Sequence, residues 1–192
     1  MLVHTLWRKI APRKREIADR VLSDNIYELL KTKNWLLAAD FGRFSLSQIM
    51  LADSRDMDIR VRVVNTAIAL TRLKKEKEAF SLLDKFDWSA CIREFKLADA
   101  ILRGKNAEAC QIMISIGKKG ELIDQLAYHQ WPLFYNFWDI KEFQDAYYFI
   151  YKIPFIEKST QSSAARSNMI TDAVTVKRVS RKRVVPGSDK NG

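Results

Sequence analysis

The chain has 192 residues, 47% of them hydrophobic, and 33 Lys and Arg against 23 Asp and Glu give a formal net charge of +10. That length fits one domain with extensions, and six glycines and four prolines are too few for the turns of a many-stranded sheet, so an all-α fold is expected. Cys91 and Cys110 with His4 and His129 form no CxxC pair and no HExxH motif, which argues against a zinc site or any other metal or cofactor. The lone cysteines read as core packing in a reducing compartment.

The charge is unevenly placed. Residues 1–24 carry six basic and three acidic side chains and residues 158–192 eight and two, so the body between them is nearly neutral at +1. No apolar run approaches a membrane span, and the opening Met1 to Trp7 is too short for a signal h-region before Arg8 and Lys9. A soluble cytoplasmic protein without a membrane partner is the expectation.

In chain order, a basic N-terminal segment (1–12) precedes the helical body, and Pro12 separates a short amphipathic stretch from a long first helix running from Arg13 through Leu30. Three helix, basic turn, helix units follow. Their turns are Lys31 to Asn34, Lys74 to Lys77 and Arg103 to Asn106, and the second and third lie about thirty residues apart. Between the first two, Ser45 is placed to cap a short helix, and the cluster Asp53, Asp56 and Asp58 reads as a break rather than a calcium loop, since it lacks the central Gly and closing Glu. The helix predicted from Ile59 to Leu73 has two apolar lines, Val61, Val64, Ile68 and Val63, Ala67, Leu70, and must be covered by more than one neighbour.

Gly117 and Gly120 bracket a helix stop, since Gly117-Lys118-Lys119-Gly120 lacks the spacing of a phosphate loop. Twelve of the twenty-one aromatic residues then crowd into residues 128–155. Pro132 suits a first helical turn, and Asp139 with Glu142 forms a capping-box pattern. In the helix it starts, Phe143, Ala146, Tyr147 and Ile150 share one face, leaving Tyr148 and Tyr151 off it. The block is expected to close an open helical core. Residues 158–192 then form a basic tail without aromatics, read as disordered.

Ala67 and Leu70 in one helix, with Ala79, Leu83 and Phe86 in the next, resemble the small and large positions of tetratricopeptide-type (TPR-like) α-hairpin repeats. The block at Trp131 to Phe134 and Glu142 to Tyr147 looks like the closing segment that follows such arrays in some bacterial proteins. The resemblance spans residues 14–153 and implies an irregular helical-hairpin solenoid (13–157) that acts as a non-catalytic adaptor, holding another protein or peptide segment. Polar residues on the first helices of the second and third hairpins, Asn65, Arg72, Arg93, Lys96 and Asp99, are the expected protein contacts. The alternative is a nucleic-acid-associated protein whose Lys177, Arg178, Arg181, Lys182 and Arg183, helped by the basic turns, neutralise phosphates. No nucleophile motif accompanies His129, which reads as a packed residue.

Overall fold

The computed structural model describes residues 12–46 and 56–156. They form helices α1 (Pro12–Lys31), α2 (Trp35–Phe44), α3 (Asp56–Arg72), α4 (Glu76–Leu83), α5 (Arg93–Leu102), α6 (Asn106–Ile116) and α7 (Gln125–Gln130), a 3-10 turn (Pro132–Phe134) and α8 (Lys141–Tyr151). No strand occurs among the described residues beyond an isolated bridge between Lys119 and Asp124, so the fold is all-α. The first compact unit of the chain runs to Phe155 and contains all of these helices.

The three basic turns close in the same way. Lys33 N–H donates to Leu30 O and Asn34 N–H to Leu29 O; Lys74 donates to Thr71 O and Lys75 to Leu70 O; Gly104 donates to Ile101 O and Lys105 to Ala100 O, all at 2.8–3.0 Å. This is the paired bonding of a Schellman motif, which satisfies the last carbonyls of α1, α3 and α5 and reverses the chain. It requires a left-handed residue, and Lys33, Lys74 and Gly104 have φ of 60°, 60° and 71°. Five residues after each stands an alanine, Ala38, Ala79 or Ala109, that is fully buried and lets the returning helix approach its partner. α1 thus packs on α2, α3 on α4 and α5 on α6.

Helix α3 is the centre of the unit. Every residue from Arg62 to Leu70 is buried, and α3 touches α1, α2, α4, α5 and the 3-10 turn. The two apolar lines read in its sequence account for the burial of Val63, Val64, Ala67, Ile68 and Leu70, and Arg62, Asn65 and Thr66 are buried with them. Val63, Val64, Ile68 and Leu70 each contribute about 1.5–3 kcal/mol by leaving water. Gly42 of α2 crosses α3 at Thr66, whose side chain fills the space where a Cβ on residue 42 would collide. Thr66 Oγ1 donates to Arg62 O at 2.7 Å, so its hydroxyl is satisfied inside this dry contact.

The aromatic block packs as its periodicity predicts except at Tyr151, whose ring lies 4.7 Å from Tyr147 and edge-on to Tyr128 at 6.1 Å and so joins the inner face it was expected to leave. Phe143, Ala146, Tyr147 and Ile150 are buried, whereas Tyr148 is 55% exposed. Tyr128 lies among them, 4.8 Å from the Phe134 ring and edge-on to Tyr147 at 6.0 Å, and Phe137 meets Phe143 edge-on at 5.2 Å. Such pairs are worth about 0.5–1.5 kcal/mol each beyond their buried area. Pro132 occupies the first turn expected of it, in a 3-10 turn rather than an α-helix.

Two local expectations are corrected and a third falls outside the described residues. Asp139 does not cap α8: the N-cap is Ile140, which has extended geometry and no side-chain cap, and its carbonyl receives Phe143 N–H and Gln144 N–H. Burial of the Phe143 face fixes where that helix begins, one residue later than the capping pattern suggests. Ser45 follows α2 in helical geometry, with Oγ donating back to Gly42 O at 3.0 Å, and the short helix it is placed to cap falls on residues outside those described. Helix α3 is described from Asp56, so Asp56 and Asp58 lie within a helix instead of a break. Asp53 lies outside the described residues, and among those described no group of three or more His, Cys, Asp and Glu is placed to hold a metal ion. No described helix is long and apolar enough to cross a membrane.

A lysine in the left-handed region costs more than a glycine there. Lys33→Gly and Lys74→Gly are each expected to raise stability by about 0.5–1 kcal/mol in urea denaturation, and Gly104→Ala to lower it by about 1 kcal/mol. A loss of stability in both lysine variants would show that the lysine side chains contribute more than their backbone strain costs.

Candidate functional site

Residues 117–138 run back over the central helices, and their polar contacts define the site. α6 stops at Gly117, with φ of 75°. Gly120 then passes so close to α5 that a Cβ would collide with the Glu94 carboxylate and Ile116. The Glu94 carboxylate is only 3% exposed, and its Oε1 accepts Glu121 N–H at 2.5 Å and Leu122 N–H at 3.2 Å. Asp124 caps α7 by accepting Ala127 N–H at 2.9 Å. From the end of α7, Trp131 Nε1–H donates to Asn65 Oδ1 of α3 at 3.0 Å. Arg72 at the end of α3 donates to Pro132 O at 3.1 Å and to Asn136 Oδ1, and its guanidinium stands 5.7 Å from the Trp35 ring centroid. Burial pulls the Arg72 pKa below the usual arginine range, opposed by Tyr135.

The five expected protein contacts are therefore used in different ways. Asn65 and Arg72 bind the chain's own C-terminal segment. Asp99 Oδ1 accepts from Arg103 Nε at 2.9 Å within α5, and Arg103 also reaches Asp84 at 2.6 Å. Arg93 donates to Ser115 O at 2.6 Å, closing the end of α6. Arg93 and Lys96 line an open, polar cavity of about 730 Å³ with Glu94, Lys119 and Gly120. The structure brings Arg93 and Lys96 to one cavity and Asn65 to another, while Arg72 and Asp99 line neither.

Asn65 belongs to a slot of about 280 Å³. Helix α1 supplies Ser23, Asp24 and Tyr27 to it, α3 supplies Val61 and Asn65, and the returning segment supplies Leu122, Ala127 and Trp131. Most of its wall is apolar. Its polar groups are unevenly satisfied: the Asn65 carboxamide oxygen is held by Trp131, whereas Ser23 Oγ is buried without a hydrogen-bond partner. Asp24 is exposed and makes no ion pair or hydrogen bond with another described residue. Lys31 stands 5.4 Å from the centroid of the Tyr27 ring and is paired with Glu28 at 2.9 Å.

Sequence reasoning missed Ser23, Asp24, Tyr27 and Trp131 as neighbours because they meet across a long stretch of chain. One local signal was present: Asn65 interrupts an otherwise apolar face of a helix covered on every side, and a buried carboxamide requires a partner.

The cations of the alternative reading divide in two. In the turns, Lys31 is paired with Glu28, Arg103 with Asp84 and Asp99, and Lys105 with Glu108 at 3.3 Å. Lys177, Arg178, Arg181, Lys182 and Arg183 lie outside the described residues. His129 stacks on Phe155 with ring centroids 4.6 Å apart, and its Nε2 meets Tyr147 OH at 3.0 Å. Cys110 is buried, and burial followed by the Glu142 and Asp145 charges pushes its thiol up to about 11, away from the reactive thiolate.

Compared with known protein families, with curated proteins and with solved structures, the chain matches none.

Two buried polar groups give opposite expectations. Tyr128 is fully buried, its hydroxyl has no hydrogen-bond partner and burial pushes its pKa upward. Tyr128→Phe is expected to leave stability unchanged or raise it by about 1 kcal/mol, whereas Asn65→Ala, which orphans the Trp131 N–H, should cost about 1–3 kcal/mol. Urea denaturation separates them, and a clear loss in the Tyr128 variant would contradict the assignment.

Proposed function

We propose that the chain is a non-catalytic protein-interaction module of the TPR-like kind, an irregular array of three helical hairpins closed by its aromatic C-terminal block. The matching turns at Lys33, Lys74 and Gly104, each followed at the same distance by a buried alanine, support the array. In such an array the first helices of the hairpins offer a surface to a partner segment. Here residues 120–136 cover the sides of α3 and α5 that carry Asn65, Arg72 and Glu94, which moves the available surface toward α1.

The observation that carries the proposal is the slot between α1, α3 and the 122–131 segment. It is concave, mostly apolar and walled by Tyr27 and Trp131, with Ser23, Asp24 and Asn65 as its polar groups. An anchor side chain of a partner would be desolvated there between aromatic surfaces, the setting in which a few interface residues supply most of the binding energy.

Ala127 lines the slot and is half-buried, so Ala127→Phe fills the space from the side of the returning segment. The test is capture of partners from a nuclease-treated extract of the native host by the full chain and by this variant, with matched thermal melts showing that both are folded. A protein retained by the wild type and lost with the variant is the expected result. Equal retention of every captured protein by both chains would remove the slot from the account, and capture that disappears with nuclease would favour the nucleic-acid reading.

A further inference from the structure

The slot holds an incomplete set of groups, and its composition indicates what completes it. Elsewhere in the unit, arginines are held against rings and oxygen atoms together. The Arg103 guanidinium stands 5.4 Å from the Phe80 ring centroid while bonding the carboxylates of Asp84 and Asp99. Arg72 stands over Trp35 while bonding Pro132 O and Asn136 Oδ1. A cation over an aromatic face gains about 0.5–2 kcal/mol, more as water is removed, and oxygen acceptors in reach satisfy its N–H groups.

The slot presents a comparable set, the Trp131 ring and the Asp24 carboxylate; its second ring, Tyr27, already has Lys31 over it. Tyr27 and Trp131 supply rings, and the Trp131 indole is held in place by its bond to Asn65. The Asp24 carboxylate has no partner among the described residues, and the Ser23 hydroxyl is buried with none. Lys31 does not complete the set, because it stands over Tyr27 already paired with Glu28. Val61, Leu122 and Ala127 form an apolar wall along which a methylene stem can lie. At about 280 Å³ the space falls at the small end of ligand pockets, suited to one long side chain more than to a cofactor.

We infer that the slot receives a cationic side chain, the ammonium of a lysine or the guanidinium of an arginine, from the partner segment; this rests on the slot being the partner-binding site. The stem lies against Val61, Leu122 and Ala127, the charged head faces the Trp131 ring, and Asp24 accepts its N–H groups. The partner is therefore a basic segment with a single long cation as its anchor.

The test uses the full chain and three small probes: the Nα-acetyl methylamides of lysine, of arginine and of norleucine, the last an uncharged analogue of the lysine stem. Binding is read from the Trp131 indole N–H resonance, whose hydrogen bond to Asn65 also reports that the slot is intact. The expected result is saturable shifts with the lysine or arginine probe, at least ten-fold weaker binding of norleucine, and loss of that preference in Asp24→Asn with the indole resonance otherwise unmoved. Norleucine binding as well as the cations, an unchanged preference in Asp24→Asn, or no shift with any probe would each overturn the inference. Those outcomes leave the slot as a partner site if Ala127→Phe still abolishes capture, whereas capture unaffected by Ala127→Phe removes the slot itself.

Discussion

Between Arg62 and Leu70 every residue of helix α3 is buried, and a helix so enclosed requires neighbours on nearly every side. That requirement organises the unit. α1, α2, α4 and α5 all pack on α3, and the 3-10 turn at Pro132 touches it as well. Hydrophobic burial explains the closure but is non-directional. The polar groups set the register: Thr66 closes the contact at Gly42, Asn65 waits for the Trp131 indole, and Arg72 waits for Pro132 O and Asn136. Each would carry a desolvation penalty if the returning segment were displaced.

The same constraint produces the candidate site. A segment that must reach Asn65 from the end of α7 passes beside α1 without filling the space between them, and the slot is that remainder. Glu94 helps to determine its shape by holding the backbone at Glu121 and Leu122, which positions Leu122 in the wall. The aromatic block is thus more than a plug for exposed apolar surface. Tyr128, Phe134, Phe137 and Phe143 anchor it, and the segment leading into it supplies Leu122, Ala127 and Trp131 to the side of α1 that carries Ser23 and Asp24.

The parts of this architecture governed by local chemistry were legible in the sequence. Basic turns at Lys33, Lys74 and Gly104 marked the reversals, the double apolar line of α3 announced its burial, and the spacing of Phe143, Ala146, Tyr147 and Ile150 gave the inner face of α8. Local patterns failed where tertiary burial decided the outcome. Asp139 and Glu142 have the spacing of a capping box, yet packing of Phe143 begins the helix after Ile140. The site was the least legible, because Asn65 and Trp131, or Glu94 and Leu122, are joined by bonds between residues that nothing in their neighbourhoods pairs. Asn65 and Arg72 were conspicuous as polar residues on a packed helix; that conspicuousness reflected partners within the chain.

The central claim is that α3 is the last element to open, because α1, α2, α4, α5 and the 3-10 turn all pack on it and its polar groups are tied by residues 131–136. Native-state hydrogen exchange measures this residue by residue. The account predicts that the amides of Val63 to Leu70 exchange only through global unfolding, with opening free energies equal to the stability found by denaturant. Exchange of those amides through a partial opening, at a lower free energy than the amides of α6 and α8, would contradict it.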